Sequence, residues 1–136
     1  MKSCRSPFVS LLIVPSVILF SGCVKTYREN RPLFWGTIIT PKEVTAGQPV
    51  IANVQIEYET TSFAVDFQGF QVEEKARHHF AVSASAIITS HGEGTANDML
   101  WSMDTTCVVP TGSTGEYIID YMVSDSVEHS DTVMAR

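Results

Sequence analysis

The chain has 136 residues, 44% of them hydrophobic and 10% aromatic, with 9 basic against 15 acidic side chains. That length fits one domain, and the apolar and aromatic content excludes a disordered chain. A net charge of −6 argues against nucleic-acid binding, which normally needs a basic patch to neutralise phosphates.

Residues 1–22 differ in composition from everything after them. Lys2 and Arg5 make a positive start, Phe8 to Phe20 carries no charge, and Ser21 and Gly22 are small. This is the order of a secretory signal peptide. As a helix the uncharged stretch would reach only about 20 Å, short of the roughly 30 Å of a bilayer's hydrocarbon. Pro15 in its middle weakens a spanning helix further.

The ending Phe20-Ser21-Gly22-Cys23 resembles the lipobox of bacterial lipoproteins, with Phe20 where the family usually has Leu. A thiol is the side chain able to accept a diacylglyceryl group, because its thiolate is accessible near neutral pH. The resemblance implies cleavage before Cys23, lipidation of Cys23 by acyl chains (palmitate among them), and attachment to a membrane facing the periplasm. Val24 stands where Asp would retain such a protein in the inner membrane, so the resemblance points to the outer membrane. Processing would remove Cys4 and occupy Cys23, leaving Cys107 with no partner for a disulfide. Within Thr105-Thr106-Cys107-Val108-Val109 it reads as a small buried hydrophobe.

Loss of residues 1–22 leaves 7 basic against 15 acidic side chains, a net charge of −8. The lipid-bearing Cys23 and residues 24–33 form the second segment. They are polar and without periodicity, and read as a tether of up to about 33 Å.

From Phe34 to Arg136 the dominant period is two. Val50, Ala52, Val54, Ile56 and Tyr58 form one apolar face, while Asn53, Gln55, Glu57 and Glu59 lie on the other. Phe63, Val65 and Phe67 open another strand, whose phase slips at Gly69 as a β-bulge would require. Between Val72 and Phe80 a hairpin connection and a short helix both fit, the latter through Glu73 and Arg77 at i,i+4 spacing. Phe80, Val82, Ala84, Ala86 and Ile88 share a face, as do Met99, Trp101 and Met103, and Tyr117, Ile119, Tyr121 and Val123. Shorter strands fit Trp35–Thr40 and Asp131–Ala135. About seven strands with regular turn signals predict an all-β protein, a single antiparallel β-sandwich. Its core should hold Trp101 buried, with Val54, Ile56, Ile119 and Tyr121 from other strands.

Thr40 to Val50 and Pro110 to Asp125 resemble bacterial immunoglobulin-like (Ig-like) domains, though a transthyretin-like sandwich would show nearly the same pattern. The resemblance implies that Tyr117 is a corner tyrosine, its hydroxyl bonded to nearby backbone. The Cys pair and central Trp of antibody domains are missing.

Candidate chemistry is sparse. His91, Glu93 and Asp98 are weak candidate metal ligands in a Gly-rich loop, and His78 and His79 are adjacent, so strand geometry points them apart. Nucleophile-elbow, phosphate-loop and dinucleotide motifs are missing from the sequence. The expectation is a protein with no catalytic group and no cofactor. It would be a lipid-anchored envelope lipoprotein, working as a binding or adhesion module for an envelope or cell-surface partner. The alternatives are an assembly component such as a secretion-system lipoprotein or pilotin, and an inhibitor or exclusion lipoprotein.

Overall fold

A computed structural model of the chain describes residues 26–60, 64–91 and 99–136. The expected signal peptide, Cys23, Phe63, Glu93 and Asp98 lie outside the described residues, as does the side chain of His91. The described residues form strands and turns, with no helix among them. In chain order the strands are β1 (Thr26–Pro32), β2 (Phe34–Ile39), β3 (Glu43–Val44), β4 (Val50–Thr60) and β5 (Ala64–Ala76). They continue as β6 (His79–His91), β7 (Met99–Val109), β8 (Gly115–Val123) and β9 (Ser126–Ala135).

Two sheets result. One has the order β2-β4-β7; the other runs β6-β8-β9-β3, with β5 and β1 also paired to β6. β6 is the organising strand. β5 pairs with it along one edge, while the other edge is shared end to end by β8, from His79 to Ser83, and β1, from Ser85 to His91. The apolar face of each sheet is turned to the other. From β6 come Phe80, Val82, Ala84, Ala86 and Ile88; from β4, Val50, Ala52, Val54 and Ile56; from β8, Tyr117, Ile119 and Tyr121. Leu33, together with Cys107 and Val109 of β7 and Val133 and Ala135 of β9, completes the buried set. The all-β expectation and the periodic faces that carried it hold.

Other expectations are corrected. Nine strands are described where about seven were expected. The pairing is mixed, not antiparallel: β6 runs parallel to β8, and β3 parallel to β9. The reason is the path of the chain. β6, β7 and β8 alternate in direction, but β7 lies in the opposite sheet, so β6 and β8 meet side by side running the same way.

Thr26–Pro32, read from the sequence as tether, is a strand. It is exposed on both faces, so side-chain alternation could not reveal it. Its backbone supplies hydrogen-bond partners to the half of the β6 edge that β8 leaves open. Leu33 then turns the chain into the other sheet, fully buried, with its amide donating to the Ala84 carbonyl at 2.9 Å.

The open question between Val72 and Phe80 resolves as a hairpin, with β5 ending at Ala76 and β6 starting at His79. The bulge falls where the phase slip placed it: the register shifts between Phe67 and Gly69, and Gly69 has φ +100°. Trp101 faces the interior but is only half-buried, two residues from the start of β7, and Met99 beside it is exposed. Trp35 is partly buried as well and holds an aromatic cluster together. It stacks on Phe70 at 5.9 Å, meets Tyr121 edge-on at 5.1 Å, and its indole N–H donates to the Met122 carbonyl at 3.0 Å.

The strands define two ends. At the near end β1, β5 and β7 begin and β4 and β6 finish, for Thr26 pairs with His91, Ala64 with Thr89 and Thr60 with Met99. The far end gathers the turns 77–78 and 110–114, the loop 45–49 and the C-terminal Arg136, whose carbonyl accepts from the Ala46 amide at 2.8 Å.

Candidate functional site

Among the described residues no group of three or more His, Cys, Asp and Glu side chains is placed to hold a metal ion. Of the three candidate ligands, His91 ends β6 at the near end, and Glu93 and Asp98 follow in residues outside the description. His78 and His79 part as their adjacency requires. His78 turns to Ser113 and Tyr117, while His79 turns to Asp120. Glu57 and Glu59 stay on the outward side of β4, and Glu59 is exposed.

The far-end cluster is built around Tyr117, the first buried residue of β8. Its hydroxyl accepts from the Gly112 and Ser113 amides at 3.1 and 3.2 Å and donates to the Ser113 carbonyl at 3.0 Å. Burial disfavours its phenolate, and the backbone and Ser113 bonds outweigh that, so the hydroxyl sits below the ordinary tyrosine value. This is the corner geometry that the resemblance implied. His78 adopts φ +60° at the β5–β6 turn, and its ring lies stacked over Tyr117 at 4.1 Å. On its other side is Gly115, where a side chain's first carbon would come within 3.0 Å of the imidazole. Gly115 also has φ +137°, so both space and backbone call for glycine there.

His78 Nε2 lies 2.8 Å from Ser113 Oγ, a base next to a hydroxyl. Acyl transfer would also need free donors for a developing oxyanion. The two amides nearest the hydroxyl, of Gly112 and Ser113, are already engaged by Tyr117. The pair therefore fixes the 110–114 loop against the β5–β6 turn. Beside it opens a shallow hollow of about 440 Å³, where Glu74 and Arg77 meet the apolar surfaces of Phe80, Pro110 and Tyr117.

Two carboxylates tie neighbouring segments together: Asp120 of β8 bridges β6 and β9, and Asp131 of β9 reaches Thr40 just after β2. Asp120 Oδ2 accepts from His79 Nε2 at 2.6 Å, and its Oδ1 accepts from Ser130 Oγ at 2.7 Å. The residue types are those of a hydrolase triad, but the carboxylate sits in the middle, bonded to the imidazole on one side and the hydroxyl on the other, so the Ser130 hydroxyl has no imidazole base to activate it. Burial works against the Asp120 charge, and the Ser130 and His79 bonds overcome it, holding the carboxyl below its ordinary value of 3.8. A carboxyl depressed in the folded state contributes stability that is fully present above its unfolded value. That stability is lost as the pH falls through the folded value. The gap in unfolding free energy between the wild type and Asp120→Asn should therefore narrow as the pH falls below about 4. Urea titrations at stepped pH measure it, and a gap that stays constant down to pH 2 would contradict the assignment.

The second carboxylate, Asp131, accepts from His129 Nε2 at 2.9 Å and from Thr40 Oγ1 at 2.6 Å. Thr40 has one proton and gives it to Asp131, so at 2.8 Å the Tyr121 hydroxyl is the donor to Thr40. A buried tyrosine thus reaches the surface through a threonine. Burial pushes the Tyr121 hydroxyl up to about 12, eased by the Thr40 bond and reinforced by Cys107 and Asp131. Cys107 is fully buried, and burial lifts its thiol to about 11, the behaviour of a packed side chain and not of a reactive one.

Sequence reasoning missed these polar ties because their members lie far apart in the chain: 41 residues for His79–Asp120, and 81 for Thr40–Tyr121. The one available signal was Thr40 at the end of a short strand. No family model matches the chain, and no curated protein and no solved structure matches it either.

Proposed function

We propose that this protein is a lipid-anchored lipoprotein of the bacterial envelope, held in the outer membrane through Cys23. Its sandwich would serve as a non-catalytic module that binds an envelope or cell-surface partner. The observation that carries the reading is the run Phe20-Ser21-Gly22-Cys23, which closes an uncharged stretch shortly before the first described strand, β1. Engagement of the Gly112 and Ser113 amides by Tyr117 supports a binding role over acyl-transfer chemistry. A binding role also suits the far end, where turns 77–78 and 110–114 are displayed on a rigid frame.

The Ig-like assignment rests on the Tyr117 corner. Ig domains are built from two antiparallel sheets, and the parallel β6–β8 pairing departs from that pattern.

Changing the thiol tests the anchor directly. Cys23→Ser should abolish incorporation of a fatty-acid probe and leave the precursor uncleaved, shifting the protein to higher mass on a gel. Unchanged labelling of Cys23→Ser would end the lipoprotein reading.

A further inference from the structure

An open sheet edge offers its backbone to any passing strand, and proteins blunt such edges with charges, bulges and short strands. Most edges of this sandwich are blunted in those ways. β1 carries Arg28, Glu29 and Arg31, while β5 is bulged at Gly69 and carries Glu73, Glu74 and Lys75. The register of β2 shifts between Trp35 and Ile38, and its Trp35 amide is taken by the Glu128 carboxylate at 3.3 Å. β3 has two residues, and the part of β9 beyond it carries Glu128, His129 and Asp131. β7 is different. It has 11 residues, pairs with β4 without a register shift, and among the described residues no strand pairs with its other edge. Its single charge is Asp104, in a chain with 15 acidic side chains.

We propose that β7 is an edge for self-association, pairing antiparallel with β7 of a second copy about a two-fold axis and joining the two smaller sheets into one. The side chains favour a second copy because the edge is complementary to itself. Opposed residues of an antiparallel pair share a sheet face, so the inner row Trp101, Met103, Thr105, Cys107 and Val109 must meet the same row of the partner copy. Centred on Thr105, Trp101 meets Val109, Met103 meets Cys107 and Thr105 meets itself. On the outer row Ser102 meets Val108 and Asp104 meets Thr106. No charge faces a charge. A centre at Asp104 would set two carboxylates face to face, which is unfavourable, and a centre at Met103 would set Trp101 against Thr105. The contact is isologous, so every match is made twice. The acidic balance of the chain opposes the approach of two copies, so the dimer should tighten as salt screens it, the reverse of an interface held by ion pairs. The proposal does not depend on Cys23.

The test uses the full chain in a mild detergent, its mass followed by light scattering over a dilution series. The wild type should weigh two chains when concentrated and one when dilute. Thr106→Asp sets a carboxylate opposite Asp104 at both symmetric positions and should weaken the dimer roughly tenfold. Adding Asp104→Lys to that variant pairs opposite charges and should restore it. Both positions are exposed, and circular dichroism checks that the fold is kept. Cross-linking reads the register. Copies of Thr106→Cys would be offset by two residues, about 7 Å along the strand, and copies of Ser102→Cys by six, about 20 Å. A short bis-maleimide should therefore link the first and not the second, above the background of the parent chain. A mass of one chain at every concentration would overturn the proposal, as would a dimer indifferent to Thr106→Asp. Linking at 102 but not at 106 would overturn the register. Linking at 106 in membranes only to a protein of another size would replace the second copy by a foreign strand.

Discussion

Tyr121→Ala should lower the unfolding free energy by roughly 3–5 kcal/mol, the cost of emptying an aromatic site in a packed core. The ring is fully buried, met edge-on by Trp35 and bonded through its hydroxyl to Thr40. Truncation would therefore leave a cavity and also return the Thr40 hydroxyl to solvent competition. On a total stability of about 5–15 kcal/mol for an ordinary domain, that loss is severe. Trp101→Ala should cost less, about 1–2 kcal/mol, because the residue is only partly buried and loses only part of the transfer energy. Equilibrium denaturation of the two variants side by side gives the ranking. A larger loss at Trp101 than at Tyr121 would place the centre of the core nearer the near end.

Leu33→Ala is the second change with a large expected effect, roughly 3 kcal/mol or more. Leu33 is fully buried at the point where the chain leaves one sheet for the other. Its amide is bonded to Ala84, so the backbone there is fixed, and a shortened side chain cannot be compensated by a shift of the strand. A loop residue of a flexible tether would cost almost nothing on the same substitution. Thermal unfolding separates the two: about 4 °C or more of lost melting temperature per kcal/mol against no measurable change.

How much of this was legible beforehand follows from what each element buries. β4, β6 and β8 have one face in the core, so alternation announces them, and the bulge at Gly69 shows as a phase slip because only one face can be apolar. β1 buries neither face and β3 is two residues long; both exist because a neighbouring strand has unpaired backbone, which no side-chain pattern records. Alternation also says nothing about which strand lies alongside, so the parallel union of β6 and β8 was out of reach. Trp101 was assigned the correct face and the wrong depth, since depth depends on distance from the strand end. Tyr117 was readable because its partners Gly112 and Ser113 are five and four residues away, whereas His79 and Asp120 meet only after the chain has crossed to the other sheet and returned.

The position of β1 has a mechanical consequence. Its first residue is at the near end and its seven paired residues run antiparallel along β6, with the strand axis pointing from the near end to the far end. A partner gripping the far-end turns while the N-terminus is held in a membrane would pull along that axis. The load then falls on the β1–β6 hydrogen bonds in shear, shared by all of them together, and not on one bond at a time as in peeling a hairpin from its open end. Rupture would require the whole ladder to slip at once. Forced unfolding is governed by the barrier to that event and not by equilibrium stability. A domain of modest thermodynamic stability so attached would resist a sustained pull far longer than its melting temperature suggests, provided the force enters through its N-terminus.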